Sequence, residues 1–560
     1  MCIRDSDLTL SKYSHCILFL LLTLALTYGQ ETKKIDIRQA ASFEVNEKRF
    51  PDAKILKSNQ DVRVHLHHDG MDIWSDIAYF YETRNFFEAE GNVVVKQGDS
   101  LQLNSEYIEY SGTTKFAVAK RKVHLQNQES TLRTDSLYFD RKKQEAYYNT
   151  AGEITSDKTV IRSQSGTYVA DYNKYEFITN VHVIDPSFTI HSERMDYYTE
   201  LRHAYFYGAT TIQGESYDVG CNRGFFDSNL KKGYFQDRAS IDYNLRNIQG
   251  DSIYFDDRIQ YAAASQNVQI TDTIGDNVIR GEYGEIFKER DSAIVTRNPI
   301  AIKLVDKDSL FIHADTLLAT GPAEERILTG YYGVRIFKTN LSGVSDSIHI
   351  DQKSGLIQLL RLPISDRESQ LLSARDMTKR NPVLWSAKTQ MSGNLIHLLT
   401  DSTSNAIDSL KIFNNAIVAK QDSLNPSQFN QMKGINLFGN FEDNELQTID
   451  IVKNAEMVYY LYDDTTQDLI GIDKAICSAM QLRMADNQIQ SITFLTKPEG
   501  AVYPIEELPI DQQQLPGFYW RGDEMIRSKA DLIINTLKND SVSQRTDVKE
   551  VMSRLKLQRK

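Results

Sequence analysis

The sequence predicts an all-β protein of stacked antiparallel β-hairpin repeats that form an elongated β-jelly-roll, followed by a second β domain of similar construction. Three observations predict this class. A short motif recurs at intervals of 29 residues or slightly more, apolar and polar residues alternate within each repeat, and turn-forming clusters come about every 14–15 residues. The content of 29 tyrosines and 24 phenylalanines favours strands as well.

Residues 1–29 are interpreted as a secretory signal peptide. They contain the apolar run Cys16–Leu26, which has 11 residues and is followed by small or turn-prone residues. Such a run is too short to anchor a protein in a bilayer but suits the apolar region of an export signal. Cleavage near Gly29–Gln30 would leave residues 30–70 as an N-terminal lead-in.

The repeat occupies residues 71–362 and is marked by a small residue, an acid and then apolar residues, as in Thr134–Phe139. We call the small residue the anchor. The ten anchors, at intervals of 29 to 33 residues, are Ser75, Ser105, Thr134, Ser163, Ser192, Cys221, Gly250, Gly281, Ala314 and Ser345. The short connections imply that each repeat is one antiparallel hairpin. A strand of about 12 residues would run about 40 Å, so we expect each strand to fold over at its anchor and form two facing sheets.

Three columns of apolar residues run through the repeats, and we expect all three to face the interior. Two residues before the anchors stand Ile73, Leu103, Leu132, Ile161, Ile190, Val219, Ile248, Ile279 and Ile312. Five residues after them stand Phe80, Tyr110, Phe139, Tyr168, Tyr197, Phe226 and Phe255, and then Ile286. Twenty residues after them stand Val95, Leu125, Ile154, Val183, Ile212, Ile241 and Ile270, and then Ala301. Columns of this kind either pack into a dry core or open into a trough.

An acidic or amide residue follows each anchor, and eight of these ten residues are carboxylates. They are Asp76, Glu106, Asp135, Gln164, Glu193, Asn222, Asp251, Glu282, Asp315 and Asp346. A column of cation ligands is one interpretation. We favour another, in which short acidic side chains bond the backbone at a bend and keep that edge solvated, because stacked like charges repel each other.

From about Pro363 the spacing loosens, although strand and turn signals persist, as in Gly434–Gly439 and Gln447–Val452. We therefore predict a second β domain over residues 363–505 and a polar C-terminal tail over residues 506–560.

Only two cysteines, Cys221 and Cys477, follow the predicted signal peptide. The repeat places them many strands apart, beyond the separation of about 7 Å that a disulfide tolerates. We predict two free, buried thiols.

Several classes of function are disfavoured. The net charge of −12 argues against a nucleic-acid partner. A polysaccharide-degrading enzyme with an acid pair such as Asp135 and Asp251 is one alternative, but a catalytic site should occur once rather than in most repeats. A metal site at His65, His67 and His68 with Asp69 is another. We expect no catalytic residue, no metal and no cofactor.

The repeat resembles the OstA family of periplasmic β-jelly-roll proteins, which includes LptA and the N-terminal domain of LptD. The resemblance is carried by the strand motif of Thr134–Phe139 and Gly250–Phe255, and by a returning strand that opens with asparagine. These asparagines are Asn92, Asn180, Asn267 and Asn298. It covers roughly Val64 to Tyr503. The segments Lys497–Pro504 and Arg521–Glu524 are similar to the long OstA-like proteins of Bacteroidetes.

This resemblance implies a lipopolysaccharide-binding bridge protein of the periplasm. It would be either free in the periplasm or associated with the outer membrane. The three columns would line a groove for lipid A acyl chains, and Lys120–Lys122 or Arg141–Lys143 would hold head-group phosphates. Other jelly-roll components of an Lpt-type bridge would dock edge to edge by β-augmentation. The array is about twice as long as the small bridging protein of the family, so a fixed scaffold is implied rather than a shuttle. A structural or carbohydrate-associated β-solenoid at the cell surface, without lipid transport, is the alternative.

Overall fold

The structure is a computed structural model that describes residues 34–127, 130–243, 245–274, 277–305, 308–401, 406–442, 445–463, 465–485 and 488–533. The predicted signal peptide lies outside the described residues, as does the part of the predicted tail after residue 533. The chain divides into two compact units at Val183 and Ile184, here called the N-terminal unit and the C-terminal unit. The assignment of a second domain to residues 363–505 stays a prediction.

Strands account for most of both units. The N-terminal unit contains β1 (Asp36–Gln39), β2 (Ser42–Val45), β3 (Lys54–Lys57), β4 (Val64–His68), β5 (Met71–Ser75), β6 (Ile77–Tyr81), β7 (Phe86–Gln97), β8 (Leu101–Ser111), β9 (Phe116–Asn127), β10 (Ser130–Asp140), β11 (Glu145–Tyr148), β12 (Gly152–Ser156), β13 (Thr159–Ser163), β14 (Ser165–Val169), the 3-10 helix Ala170–Tyr172 and β15 (Lys174–Asp185), which ends just past the boundary.

The C-terminal unit continues in the same way. It contains β16 (Phe188–Tyr198), β17 (His203–Gly214), β18 (Tyr217–Asp227), β19 (Lys232–Tyr243), β20 (Arg246–Asp256), β21 (Tyr261–Asp272), β22 (Val278–Phe287), β23 (Ser292–Thr296), β24 (Ile300–Val305), β25 (Asp308–His313), β26 (Thr316–Thr320), β27 (Ile327–Lys338), β28 (Leu341–Asp351), β29 (Leu356–Leu360), β30 (Val383–Ser386), β31 (Thr389–Ser392), β32 (Leu395–Thr400), β33 (Ile407–Gln421), β34 (Phe429–Glu442), β35 (Glu445–Tyr462), β36 (Leu469–Ala485), β37 (Gln488–Leu495) and β38 (Glu499–Tyr503).

Helices are few and short. They are α1 (Asp366–Leu371), α2 (Ala374–Lys379) and 3-10 turns at Asp257–Ile259, Lys288–Arg290, Ala323–Glu325, Ile510–Gln512, Gly522–Glu524 and Lys529–Leu532. Within the ranges that the structure describes, no helix is both long and apolar enough to cross a membrane.

The strands pair as antiparallel hairpins, which confirms the predicted fold class. The long strand β7 shows how each hairpin folds over. Its first half pairs with β6 and its second half with β5, so β5 and β6 are two halves of one strand bent around Asp76. In the C-terminal unit, β22 pairs with β23 and β24 in the same manner.

The bend has a recurring hydrogen bond. The anchor hydroxyl donates to the backbone carbonyl two residues later, as from Ser75 to Ile77 at 3.1 Å and from Ser345 to Ser347 at 2.9 Å. The same bond forms at Ser105, Ser163 and Ser192. Cys477 repeats the geometry late in the chain, because its Sγ lies 3.0 Å from the carbonyl of Ala479. The folded-strand motif therefore extends into the region where the sequence spacing loosens.

A two-residue bulge in the neighbouring strand completes the bend. Gly91 and Asn92 have φ values of 75° and 44°, and the register between β7 and β8 shifts there. Pairs of residues with left-handed backbone recur at Arg121–Lys122, Thr179–Asn180, Asp237–Arg238, Gln266–Asn267, Arg297–Asn298, Asn414–Asn415, Lys453–Asn454 and Thr496–Lys497. Asn92, Asn180 and Asn267 thus lie in the middle of the returning strand, and the expectation that they open it is wrong, whereas Asn298 lies between β23 and β24.

The acids that follow the anchors bind these bulges. Asn92 Nδ2 donates to Asp76 Oδ2 at 2.8 Å, and Asn267 Nδ2 donates to Asp251 Oδ2 at 2.9 Å. Elsewhere the partner is a backbone amide, as from Ala209 to Glu193 at 3.3 Å. These bonds are of the kind expected for carboxylates at a bend.

Part of the segment predicted as a polar tail is packed. Leu508 and Leu515 lie against Val458, Tyr460 and Ile472, and all five are buried. Ile526 and Leu532 pack against Val344, Val383 and Trp385. The apolar residues of this segment are widely spaced, so their contribution to the core leaves no periodic signal in the sequence.

The bulge predicts a matched pair of glycine substitutions. Gly70 and Gly91 have φ values of 78° and 75°, but a Cβ on Gly70 would meet nothing within 4 Å, whereas one on Gly91 would lie 2.9 Å from the Cβ of Asp76. We expect Gly70→Ala to destabilise by about 1 kcal/mol and Gly91→Ala by about 2–4 kcal/mol, measured by urea unfolding. Equal losses would contradict the close approach of the two strands at the bend.

The cysteines are free and buried, as predicted. Burial raises the pKa of Cys221 to about 12 and also raises the pKa of Cys477. In protein with Cys2 and Cys16 replaced by serine, a thiol reagent at pH 8 should label neither residue in the native state and both after unfolding without reductant. Failure to label the unfolded chain would indicate a disulfide.

Candidate functional site

The two predicted aliphatic columns form a single row across the strands of each unit. Register places residues two before the anchor opposite residues twenty after it, and we call the result the aliphatic row. In the N-terminal unit it consists of Leu66, Ile73, Val95, Leu103, Leu125, Leu132, Ile154 and Ile161. In the C-terminal unit it consists of Ile190, Ile212, Val219, Ile241, Ile248, Ile270, Ile279, Ala301, Ile312 and Ile336.

The predicted aromatic column belongs to a second row, here called the aromatic row. In the N-terminal unit it consists of Phe80, Phe87, Tyr110, Ala117, Phe139, Ala146, Tyr168 and Tyr175. In the C-terminal unit it consists of Tyr197, Ala204, Phe226, Gly233, Phe255, Ala262, Ile286, Ala293, Ala319, Leu328 and Ile350.

The small members of the aromatic row were missed in the sequence. Ala117, Ala146, Ala204, Gly233 and Ala262 each stand twelve residues after an anchor. At these five positions the ring on the next strand has an alanine or glycine as its cross-strand neighbour, which gives the ring room at the strand spacing of about 4.8 Å. Elsewhere ring lies opposite ring, as for Phe80 and Phe87 and for Tyr168 and Tyr175. This column of small residues is visible in the sequence, and reading it beside the aromatic column would have given the register.

Most residues predicted to line the interior are buried. The buried ones are Ile73, Phe80, Val95, Tyr110, Ile154, Ile161, Val183, Ile190, Ile212, Val219, Phe226, Ile241, Ile248, Phe255, Ile270, Ile279, Ile286, Ala301 and Ile312. The half-buried ones are Leu103, Leu125, Leu132, Phe139, Tyr168 and Tyr197. Five of these six belong to the N-terminal unit.

The two units therefore differ in how tightly the rows are covered. In the C-terminal unit Phe226, Ile241 and Phe255 have 0% exposure, as expected of a dry core. In the N-terminal unit Leu103, Leu125 and Leu132 are successive members of the aliphatic row and all remain partly open to solvent, although they pack against buried neighbours. This part of the N-terminal unit presents apolar side chains that are ordered in a row and still accessible.

The histidine cluster forms cross-strand pairs. His65 Nε2 lies 2.8 Å and His67 Nδ1 2.9 Å from the same Asp72 Oδ1, and these bonds hold the pKa of Asp72 below its ordinary value. Asp69 makes a 3.0 Å ion pair with Arg141 instead. Across the described ranges, no group of three or more histidine, cysteine, aspartate or glutamate side chains is arranged to hold a metal ion.

The two basic runs lie at different places on the hairpins. Arg121 and Lys122 form a mid-strand bulge, where Lys122 Nζ lies 2.8 Å from Glu106 Oε1. Lys142 and Lys143 lie in the turn after β10, where their backbone amides donate to Asp140 Oδ1. Because the turns lie at the strand ends and the bulges at the bend, only the second run lies at the ends of the folded strands.

The inward orientation of the aliphatic row predicts a large effect of a buried charge. Ile190 is 2% exposed and lies opposite Ile212. We expect Ile190→Asp to destabilise by about 4 kcal/mol or more, and Thr211→Asp, at an exposed position of the adjacent strand, by about 1 kcal/mol or less. Unchanged melting of Ile190→Asp would contradict the inward assignment.

Comparison with known proteins agrees with the repeat. Residues 32–193 match the sequence model of the family described as OstA-like protein. No curated protein is similar enough to the chain to match it. Among solved structures the chain is similar to LptH of Pseudomonas aeruginosa, described as the LptA homologous periplasmic component of the conserved lipopolysaccharide transport device.

That structural likeness is slight. The identity is 17% and the TM-score 0.14, over 24% of this chain and 81% of the other. A TM-score this low carries no argument about function. The family match is independent of it, and over residues 32–193 it confirms the resemblance to the OstA-like family that was inferred from the repeat.

Proposed function

We propose that the protein binds lipopolysaccharide through its acyl chains and acts as a periplasmic bridge that conducts lipid for outer-membrane assembly. The OstA-like match over residues 32–193 supports a role in lipid binding and transport rather than catalysis. The observation that carries the proposal is the partly open row of Leu103, Leu125 and Leu132 inside the N-terminal unit.

Uniformity of the row supports conduction along it. Burying an acyl chain stabilises the complex by about 0.8 kcal/mol per methylene. Apart from Ala301, successive members of the aliphatic row are leucine, isoleucine or valine, so these neighbouring positions offer an acyl chain nearly equal free energies. A chain that moves from one strand pair to the next would then cross no deep minimum.

Exposed edge strands support docking of partner proteins. At the start of the described chain, β1 and β2 are exposed along their whole lengths, and β38 near its end is exposed as well. Unpaired backbone groups on such edges are templates for β-augmentation. We propose that other jelly-roll components of a lipopolysaccharide bridge add strands to these edges. The assembled bridge would be either free in the periplasm or associated with the outer membrane.

One observation favours the alternative of a structural solenoid. Most members of the rows in the C-terminal unit are buried, and Phe226, Ile241 and Phe255 have 0% exposure. A packed interior is what a purely structural β array requires. The alternative applies if the N-terminal unit also fails to take up lipid.

Site-specific cross-linking tests the proposal. Photo-crosslinkable residues at Phe139, Tyr168 and Phe226 should form adducts with lipopolysaccharide, whereas one at Asp135, exposed at the bend, should not. Adducts at the half-buried Phe139 and Tyr168 should form most readily, and those at Phe226 require the facing sheets to separate. Adducts are scored by gel shift and by mass spectrometry of the cross-linked peptide.

The same set of variants separates the two functions. Adducts at interior positions with none at Asp135 support conduction through the interior. Equal adducts at Asp135 would indicate surface adsorption, and none at any interior position would favour the structural solenoid.

A further inference from the structure

A cavity of about 60 Å³ lies within the C-terminal unit where both rows are occupied by alanine. Ala301 stands in the aliphatic row at a position that is otherwise isoleucine, leucine or valine. Ala319 stands five residues after the anchor Ala314, where earlier repeats carry Phe226 and Phe255. The cavity is thus the space that the large side chains of earlier repeats would occupy. It marks one place where the chain departs from its own repeat.

Basic side chains line this cavity. Its lining includes Arg246, Lys303 and Arg326 but only one carboxylate, Asp272. Arg326 is well bonded, since Nε donates to Asp272 Oδ2 at 2.7 Å and Nη1 donates to Asp291 Oδ1 at 2.8 Å and to the carbonyl of Gly321. The charged groups that line the cavity therefore carry an excess of positive charge.

Arg246 is poorly bonded by comparison. Its side chain is 2% exposed. Nη2 makes one long bond of 3.4 Å to the carbonyl of Asp291, while Nη1 lies 3.3 Å from Asp291 Oδ1 in a geometry that makes no hydrogen bond. A buried guanidinium donor without a bonded acceptor is costly.

Two tyrosines next to Arg246 also have buried polar atoms without a hydrogen-bond partner. Tyr217, Tyr243 and Arg246 are direct cross-strand neighbours on β18, β19 and β20. They have exposures of 5%, 1% and 2%, and each ends in a buried polar atom without a hydrogen-bond partner. Three adjacent donors of this kind, of which the last lines the cavity, match a ligand that carries several acceptor oxygens.

We propose that the cavity is a binding site for an anionic amphiphile, whose phosphate or carboxylate is held by Arg246 with Lys303 and whose acyl chain enters between Ala301 and Ala319. A guanidinium fork matches either anion bidentately. The proposal deepens the proposed function and rests on it for the idea that an acyl chain can enter between the sheets.

The protonation behaviour of the cations agrees with a missing anionic partner. Burial and the nearby charge of Arg326 lower the pKa of Arg246 to about 10, against the smaller opposing effects of Asp291 and Asp272. Burial also lowers the pKa of Lys303, whose opposing neighbour is Asp351. A bound phosphate or carboxylate would relieve both effects.

Calorimetric titration of the full chain tests the site, with dodecyl phosphate, dodecanoate and dodecanol used below their critical micelle concentrations. We expect dodecyl phosphate or dodecanoate to bind at least tenfold more tightly than dodecanol. Inorganic phosphate alone should bind far more weakly, because it lacks the chain. The difference between the two anionic probes identifies which anion the site prefers.

Two substitutions restore the side chains of earlier repeats. Arg246→Tyr copies Tyr217, which stands at the same distance before its anchor, and should reduce the affinity of the anionic probe at least tenfold, to that of dodecanol. Ala319→Phe copies Phe255 and should weaken both the charged and the uncharged probes by filling the cavity. Arg280→Leu, at an exposed arginine on β22, should change neither affinity.

Equal binding of the anionic probe to wild type and Arg246→Tyr would overturn the proposal, as would a fall in melting temperature of Arg246→Tyr with no change in binding. If Arg246→Tyr does not fold, the same titrations are made with Arg246→Lys and Ala319→Phe, and unchanged binding of the anionic probe to both would overturn the proposal. Lipopolysaccharide adducts at Phe139 and Tyr168 report the proposed function separately. If Arg246→Tyr binds dodecyl phosphate as tightly as wild type but the adducts persist, the cavity site is refuted and the proposed lipid conduction is not. If the adducts are absent while the wild type binds dodecyl phosphate tightly, lipid conduction is refuted and the cavity site is not.

Discussion

The structure depends on one recurring constraint, which is the bend at which one long strand pairs with two successive shorter strands, as β7 does with β6 and β5. At the serine anchors the hydroxyl bonds the carbonyl two residues later, and a bulge that contains left-handed residues lies on the next strand, as at Gly91 and Asn92. If the bends fell at different levels, adjacent strands would lose their register at every repeat. Within each unit the hairpins keep one register through their bends, and period-two alternation sends one face of each strand into the interior of that unit.

The register set by the bends also determines what the interior contains. It places a large ring beside alanine or glycine on the next strand, and it joins two aliphatic columns into one row. Packing in such rows is decided locally, strand by strand, so the same repeat can be closed at Phe226 and Phe255 yet partly open at Leu125 and Leu132. A repeat protein can in this way keep one architecture while it varies access to its interior.

The sequence predicted the features that recur with constant chemistry. The anchors and the inward columns could be read because the same residue types return at nearly fixed spacing. The two free thiols could be predicted because the repeat places Cys221 and Cys477 many strands apart. The bulges could not be read in this way, because pairs as different as Arg121–Lys122 and Gln266–Asn267 adopt the same left-handed backbone. The continuation of the motif at Cys477 was missed because longer strands change the spacing, and the buried Leu508 and Leu515 have no periodic neighbours.

The charged cavity was missed for a different physical reason. A column is recognised because successive repeats carry the same residue type at one position. Arg246, Ala301 and Ala319 are informative because each differs from the residue type of earlier repeats at its position. Positions that repeat and positions that depart from the repeat have opposite effects on the free energy of a bound lipid. Equal positions give no minimum in which a chain would be held, while one charge-assisted hydrogen bond of about 1.5–3 kcal/mol slows departure by roughly tenfold to a hundredfold. A uniform row therefore suits passage and a departure from it suits retention, so under the proposed function the chain would pass lipid in one part and hold it in another.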